Sequence, residues 1–296
     1  MTDMYDERHC VVLANGVKMP LLGFGCYQIL AAQAERCVLD ALEVGYRHID
    51  TAEAYMNEKE VGAAVRGSGL ARSDIFVTTK VWICNFGREK TKQAVYRSLE
   101  RMGLDYLDLV LLHQGFADYY GAFKALQELY AEGVLKSIGV SNFFPRFLLD
   151  LVKFGDAPAP MVNQVELHPY FQQPQAREYM RQNKVQAQAW APLAELRNNI
   201  LHDPVLSAIA KKHGKTVAQV ILRYLTQNQV VALVKSVHKE RMLENLQSLE
   251  FDLDADDMRA IAALDQGKPL FFDHGAPEMV DVFHGFNEHM KPVLAV

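Results

Sequence analysis

Four ionisable side chains lie at or just after the ends of three successive strand-like segments of the chain: Asp50, Tyr55, Lys80 and His113. A phenol titrates near a pKa of about 10, too high for an effective acid at neutral pH. A nearby ammonium stabilises the phenolate and lowers that pKa, and a carboxylate would keep the lysine charged and oriented. A neutral histidine could hydrogen-bond a carbonyl oxygen and fix its direction. Together these residue types suit proton delivery to a carbonyl group that receives a hydride.

Each of these residues also has an ordinary structural interpretation when it is taken alone. Asp50 could cap a helix, and Tyr55 could be a half-buried surface residue. Lys80 could extend past apolar neighbours into water, and His113 could be a hydrogen-bonded core residue. The combination favours a site, because neighbouring strands of one sheet would direct all four groups into one mouth.

The elements that must position these groups are short apolar strands alternating with amphipathic helices. The predicted strands span 21–25, 46–50, 75–80, 107–112, 136–140, 161–166, 185–190 and 230–234. The predicted helices that accompany them span 31–44, 57–67, 88–102, 119–132, 145–154, 174–183, 216–228 and 239–249. This alternation predicts a parallel sheet with both faces covered, either a closed (β/α)8 TIM barrel or a doubly wound open sheet. The count of eight favours the barrel.

Several segments lie outside the repeating strand–helix pattern. Apolar residues on both sides of Asn15-Gly16 predict an N-terminal β-hairpin with a tight turn. Two extra helices are expected, one near 204–213 and one in the stretch beyond residue 254. Residues 268–296 show no regular period and are expected to form a C-terminal tail over the barrel mouth, at the substrate pocket. We expect one domain spanning residues 1–296.

The charge balance excludes some classes of partner. With 31 Lys and Arg against 36 Asp and Glu, the net charge is −5 and no long basic stripe occurs, so neither nucleic acid nor membrane is an expected partner. Residues 1–10 lack a signal-peptide pattern, and no apolar run approaches the ~18 residues of a membrane span. Four scattered cysteines without a CxxC pair indicate free thiols and no metal site. We expect a cytoplasmic monomer, with a dimer as the alternative, acting on a small molecule.

A dinucleotide site is not evident from the common motifs. The segment Gly23-Phe24-Gly25-Cys26-Tyr27-Gln28 begins like GxGxxG but lacks the last glycine, and no Walker A motif occurs. Lys235-Ser236-Val237, followed by Arg241, Glu244 and Asn245, comes directly after the last predicted strand. Barrels often bind phosphate there, at a helix N-terminus, although a solvated helix start explains the pattern equally well.

Six motifs in order resemble the aldo-keto reductase family along nearly the whole chain, from the hairpin to about residue 267. They are 45–52 (GYRHIDTA) with Tyr55 and Asn57-Glu58, 78–82 (TTKVW), 104–108 (LDYLD), 138–143 (IGVSNF), 162–169 (VNQVELHP), and Lys235-Ser236 with Arg241 and Glu244-Asn245. The resemblance implies an NADPH-dependent reductase that transfers hydride from C4 of the nicotinamide to an aldehyde or ketone.

The resemblance also implies a role for each matching residue. Tyr55 would be the general acid, Lys80 its pKa-lowering partner, Asp50 the anchor of that lysine and His113 the group that orients the carbonyl. The nicotinamide carboxamide would be bound by Ser141, Asn142 and Gln164, with Trp190 stacked on the ring. The adenosine 2′-phosphate and adenine would be bound by residues of the last motif, which favours NADPH over NADH: Lys235, Ser236, Val237, Arg241, Glu244 and Asn245.

Three departures from the family pattern concern the loops. Gln114-Gly115 stands where many members have Trp-Pro or Cys-Pro after the histidine, which predicts a more polar pocket and a freer loop. Tyr27 stands where many have Trp, and Ala191 and Ala194 replace the Ser and Gly of the family's Trp-Ser-Pro-Leu-Gly stretch. The expected substrate pocket is lined by Tyr27, Trp82, Phe86 and Gln114.

Two other functions compete with a reductase. One is a catalytically idle binding or structural protein on the same scaffold, against which the intact set of four ionisable residues argues. The other is a barrel aldolase with a Schiff-base lysine, either Lys80 or Lys136. Borohydride trapping with a carbonyl substrate separates the aldolase from the reductase, and the Lys235/Arg241 pattern favours the reductase.

Overall fold

The computed structural model describes residues 9–294. In it, a short N-terminal β-hairpin is followed by a barrel of alternating strands and helices. Strand β1 (Cys10–Val12) pairs antiparallel with β2 (Lys18–Pro20). Eight parallel strands then close into a ring in which β10 pairs with β3. They are β3 (Leu22–Gly25), β4 (His48–Asp50), β5 (Phe76–Val81), β6 (Leu109–Leu112), β7 (Ile138–Ser141), β8 (Val162–Glu166), β9 (Gln186–Trp190) and β10 (Val231–Val234).

Helices cover the outside of this ring. In chain order the α-helices are α1 (Ala31–Val44), α2 (Glu58–Gly67), α3 (Arg88–Met102), α4 (Tyr119–Ala131), α5 (Pro145–Phe154), α6 (Pro174–Gln182), α7 (Pro204–His213), α8 (Val217–Gln227), α9 (Lys239–Leu246), α10 (Ala255–Ala262) and α11 (Glu278–Leu294). Their starts follow local chemistry: Thr216 and Gln219 form a capping box at α8, and a proline opens α5, α6 and α7. The apolar faces of the helices cover the outer side of the barrel strands, which are buried on both sides. The strands and helices thereby share one continuous hydrophobic core.

The predicted (β/α)8 barrel and hairpin are confirmed. All eight barrel strands begin one or two residues later than predicted, because the first predicted residues of each do not join the ladder. Leu107, for example, makes only an isolated bridge with Leu135 before β6 begins. The two extra helices expected near 204–213 and beyond 254 correspond to α7 and α10.

The C-terminal tail differs from the irregular segment that its sequence suggested, because it contains the 17-residue helix α11. Its buried side chains are Phe283 and Leu294, which pack against Trp82 and Ile83 in the loop after β5. Other apolar residues of α11, such as Phe286, remain exposed. Because apolar residues lie on both the buried and the exposed sides of α11, they show no helical period in the sequence. Within residues 9–294, no helix is long and apolar enough to span a bilayer.

Candidate active site

The carboxyl ends of successive barrel strands bring the predicted catalytic residues to one rim. Asp50 is the last residue of β4, Lys80 lies near the end of β5, and His113 directly follows β6. The register pairs Asp50 with Thr78 and Lys80 with Leu111, so these ends are level with one another. The described residues contain no group of His, Cys, Asp and Glu arranged to hold a metal ion.

Lys80 is fully buried, and its ammonium has three acceptors around it. Nζ forms an ion pair with Asp50 Oδ1, and donates to the Thr51 carbonyl oxygen at 2.9 Å and to Tyr55 Oη at 3.3 Å. Burial lowers the pKa of Lys80, and the Asp50 carboxylate acts in the opposite direction. Three acceptors match the three N–H groups of an ammonium, so the arrangement favours the charged form of the lysine.

Tyr55 is half-buried and ends a 3₁₀ turn, Glu53–Tyr55, that follows β4. Burial raises the pKa of its phenol well above the ordinary value, and the Asp50 carboxylate raises it further. This direction is opposite to the lowering expected from Lys80 alone, because burial and the aspartate charge both disfavour a phenolate. The phenol therefore keeps its proton at neutral pH. Since Lys80 donates to the phenol oxygen, the proton of Tyr55 remains available to another acceptor.

Buried polar contacts fix the segment that carries Tyr55. Thr51 Oγ1 donates to Asn57 Oδ1 at 2.6 Å, while Asn57 Nδ2 donates to the carbonyl oxygens of Cys26 and Ile29, each at 3.0 Å. Asn57 thereby ties the turn after β4 to the loop after β3. The asparagine of the Asn57-Glu58 motif thus positions the segment around Tyr55.

Glu58 makes a second set of contacts at the start of α2. It accepts from Thr79 Oγ1 at 2.6 Å and from Arg101 Nη2 at 2.6 Å. These bonds join the start of α2 to β5 and α3. The glutamate of the motif therefore fixes the helix that follows the Tyr55 turn.

His113 is buried and neutral. Burial, followed by the charge of Lys80, lowers the pKa of this imidazole well below its usual range. Its ring meets the Tyr55 ring edge-on at 5.7 Å and the Trp82 ring edge-on at 5.0 Å between centroids. Nδ1 is buried without a hydrogen-bond partner in the described part of the chain. A neutral ring that leaves this nitrogen unprotonated carries its N–H on Nε2.

The four predicted pocket residues are not all equally close to this group. Tyr27, half exposed, contacts Tyr55 with a centroid distance of 5.1 Å, and Trp82 contacts His113. Phe86 is buried in the main core rather than in the cluster that contains Trp82. Gln114 is only 6% exposed, and its Oε1 has no partner within residues 9–294. Tyr27 and Trp82 thus touch the catalytic candidates directly.

The residues predicted to bind the carboxamide form a connected hydrogen-bond network at the ends of β7, β8 and β9. Asn142 Nδ2 donates to the His113 carbonyl at 3.1 Å, and Trp190 Nε1 donates to Asn142 Oδ1 at 2.8 Å. Gln164 Nε2 donates both to Asp50 Oδ2 at 2.9 Å and to Gln188 Oε1 at 3.0 Å. The network therefore reaches the aspartate that pairs with Lys80.

Ser141 and Gln188 complete this network. Ser141 Oγ donates to the Gln164 carbonyl oxygen at 3.0 Å and accepts from Asn142. Gln188 is fully buried in β9, and sequence reasoning missed its role. The polar positions that alternate with alanine in β9, Gln-Ala-Gln-Ala-Trp, were the available signal.

The predicted phosphate-binding segment lies at the start of α9. Lys235 and Arg241 are exposed, and neither forms an ion pair with any residue between 9 and 294. Ser236 Oγ accepts from the His238 backbone N–H at 3.1 Å, and no side chain caps the helix. Two free cations beside an uncapped helix N-terminus fit an anion.

The remaining predicted residues of this segment differ from one another. Glu244 accepts from Thr216 Oγ1 at 2.8 Å, and Asn245 is buried. The Val237 carbonyl oxygen accepts from Arg36 at 3.4 Å. Lys235, Ser236 and Val237 thus precede α9 and Arg241 lies in its first turn, whereas Glu244 and Asn245 lie near its C-terminal end. Within residues 9–294, neither Lys235 nor Arg241 forms an ion pair.

Glu53 is a site residue that the sequence did not reveal. It is buried two positions before Tyr55, and its carboxylate accepts from the Trp82 backbone N–H and from Asn85 Nδ2 at 3.0 Å. Burial raises the pKa of Glu53 to about 7. Because these bonds link the turn of Tyr55 to the loop of Trp82, Glu53 positions one wall of the mouth.

The closed barrel with a polar cluster at its carboxyl-end rim defines the class of the protein as a (β/α)8 barrel with an enzyme-like site, and sequence comparison gives its family. The model of the Aldo/keto reductase family matches residues 22–266. The chain belongs to this family and reduces carbonyl compounds.

Individual relatives agree with this placement. The 9,11-endoperoxide prostaglandin H2 reductase of Trypanosoma cruzi is 45% identical over 265 residues, covering 88% of this chain and 93% of the relative. The glyoxal reductase of Bacillus subtilis is 43% identical over 258 residues, covering 86% and 92%. The crystal structure of an aldo/keto reductase from Brucella melitensis shares 42% identity with a TM-score of 0.83, covering 86% of this chain and 99% of that one.

Proposed function

We propose that the protein uses NADPH to reduce an aldehyde or ketone, with Tyr55 as the general acid. The observation that carries this proposal is the direction of the hydrogen bonds around Lys80. Its ammonium donates to the Tyr55 oxygen rather than accepting from it, so the phenolic proton can be donated to a substrate oxygen. A bound NADPH would supply the hydride for the carbonyl carbon, and the proton from Tyr55 would complete the alcohol.

The high pKa of Tyr55 is compatible with this role. The phenol needs to give up its proton only when the carbonyl oxygen gains negative charge, and an alkoxide is a stronger base than a phenolate. As charge develops on the phenol oxygen, the Lys80 ammonium at 3.3 Å stabilises it. Asp50 keeps Lys80 charged, and the neutral His113 orients the carbonyl oxygen with its Nε2–H.

Two separate regions would bind the two ends of the cofactor: the carboxamide network would bind the nicotinamide, and the start of α9 would bind the phosphate. Ser141, Asn142 and Gln164 offer amide and hydroxyl groups for the nicotinamide carboxamide, beside the ring of Trp190. At the other end, Lys235 and Arg241 form no ion pair within residues 9–294 and suit the additional phosphate of NADPH, Arg241 through its planar guanidinium. Ser236, Val237, Glu244 and Asn245 complete this second site.

The same geometry counts against an aldolase. A Schiff base requires a neutral amine at Lys80, whereas three acceptors surround Nζ. To test the proposal, a panel of aldehydes and ketones is incubated with the protein and either NADPH or NADH. The loss of cofactor absorbance measures the reaction. The proposal expects oxidation of NADPH that depends on the carbonyl compound and a weaker response with NADH. Borohydride inactivation in the presence of a carbonyl compound, without NADPH oxidation, would support the aldolase instead.

The cytoplasmic location and the monomeric state stay predictions from the sequence. None of the four cysteines forms a disulfide bond within residues 9–294, as expected for a reducing compartment. Sedimentation of the purified protein distinguishes the monomer from the dimer.

A further inference from the structure

The C-terminal tail carries an additional histidine to the barrel mouth. The His274 ring stacks on Phe283 of α11 with centroids 5.2 Å apart, and Phe283 stacks on Phe116 at 5.0 Å. Phe116 lies in the loop that His113 begins. His274 is also close enough to His113 to contribute to lowering its pKa, after burial and Lys80. The tail therefore places a second imidazole on the aromatic stack that reaches the loop following His113.

Nε2 of His274 is an unused acceptor. Burial lowers the pKa of His274 to about 4, so the ring is neutral at neutral pH. The Phe272 backbone acts in the opposite direction and raises the pKa of His274, which is the effect of a ring N–H donating to a carbonyl oxygen. Nε2 is buried and has no hydrogen-bond partner among residues 9–294. Since a neutral imidazole has one N–H and one lone pair, a ring that donates through Nδ1 leaves the lone pair on Nε2.

Trp82 provides an unused donor in the same place. It is 7% exposed, and its indole Nε1 is buried without a partner in the described residues. Its ring contacts His113 edge-on, and it belongs to the same apolar cluster as Phe283, on which His274 stacks. An indole N–H can only donate. One buried indole N–H and one buried imidazole nitrogen thus adjoin the same apolar cluster at the barrel mouth, the indole beside His113 and the imidazole on Phe283.

We propose that Trp82 and His274 form a hydroxyl-binding subsite that selects substrates with a hydroxyl on the carbon next to the reacting carbonyl. This inference rests on the proposed reductase function. A hydroxyl can accept from the indole and donate to the imidazole through one oxygen, so it satisfies both groups. An alkyl group satisfies neither, and a second carbonyl satisfies only Trp82. Leaving such buried groups without partners costs affinity, which is the basis of strong discrimination.

His274 lies beyond residue 266, where the match to the family model ends. The acceptor half of the subsite is therefore a feature of this chain's tail, and the donor half comes from the barrel.

The experiment compares kcat/KM for hydroxyacetone and butanone, which differ by a hydroxyl in place of a methyl group, with butane-2,3-dione as a third substrate. His274→Phe keeps a ring to stack on Phe283 and removes the acceptor. We expect the hydroxyacetone-to-butanone ratio to fall roughly 5- to 10-fold, as for loss of one hydrogen bond. The dione-to-butanone ratio should stay the same. His289→Phe makes the same substitution at an exposed position of α11 and should change neither ratio.

Trp82→Phe tests the donor independently and is informative even if His274→Phe fails to fold. It should lower both the hydroxyacetone and the dione ratios, because both oxygens can accept from the indole. Unchanged hydroxyacetone ratios in the folded variants would overturn the subsite while leaving the proposed function intact. A fall in the dione ratio with His274→Phe would contradict the acceptor role. A wild-type protein that oxidises NADPH with none of the three ketones would instead overturn the proposed function.

Discussion

Lys80 donates a hydrogen bond to Tyr55, with Nζ and Oη 3.3 Å apart. The same ammonium is held by Asp50 and by the Thr51 carbonyl oxygen, so its direction toward the phenol is fixed by buried groups. A protonated phenol whose oxygen already accepts a hydrogen bond must direct its own proton elsewhere. In the proposed mechanism that proton goes to the substrate oxygen, and the ammonium stabilises the phenolate left behind.

The preference for NADPH can be tested at the start of α9. Arg241→Ala should weaken binding of NADPH much more than binding of NADH, by about 2–4 kcal/mol, because only NADPH has the phosphate that Arg241 would pair with. Fluorescence titration with both cofactors measures the difference. Arg181→Ala, at an exposed position just before β9 and so at the opposite end of the barrel, is the matched control. Equal weakening of both cofactors by Arg241→Ala would count against the assignment.

Gln114 should govern the polarity of the pocket. Its Oε1 is buried and has no hydrogen-bond partner in the described part of the chain, which costs about 1–3 kcal/mol unless a substrate supplies a hydrogen bond. Gln114→Trp should therefore shift preference from a sugar-like aldehyde toward benzaldehyde, measured as the ratio of kcat/KM values. Gln114→Leu removes the amide without adding an indole and should shift the ratio in the same direction by a smaller factor. An unchanged ratio in both variants would mean that Gln114 does not line the pocket.

Glu53 should make stability depend on pH. Burial raises its folded-state pKa to about 7, above the value of 4.5 typical of an exposed glutamate. The folded protein then holds the proton more tightly than the unfolded chain, so this contribution to stability is present below about pH 4.5 and is lost as pH rises to about 7. Glu53→Gln lacks this proton equilibrium. Its free energy of unfolding relative to wild type should rise by up to about 3 kcal/mol between about pH 5 and about pH 8.

Urea unfolding at the two pH values measures this difference. The control is Glu35→Gln on the exposed side of α1, for which the difference from wild type should stay constant. A constant difference for Glu53→Gln as well would show that the buried carboxylate does not titrate in this range.

The barrel was predictable because strands buried on both faces give short apolar runs, which the helices separate at regular intervals. Asp50, Tyr55, Lys80 and His113 could be selected because each lies at or just after a predicted strand end. Glu53 could not, since its partners Trp82 and Asn85 follow about 30 residues later, in another loop. His274 was equally hidden, because only the folding of the tail onto the mouth brings it near His113. Local pattern reveals the elements, whereas these contacts depend on three-dimensional packing.

The role of Tyr55 is tested most directly by removing its hydroxyl group and measuring kcat with NADPH and a good aldehyde substrate. Tyr55→Phe should lower kcat by about two to four orders of magnitude while NADPH binding stays nearly intact, because no other described group offers a proton in this position. Tyr27→Phe removes the same atom from the neighbouring ring, 5.1 Å away, and serves as the matched control that should keep most of the activity. A Tyr55→Phe protein that retains a tenth of the wild-type kcat would contradict the assignment of Tyr55 as the general acid.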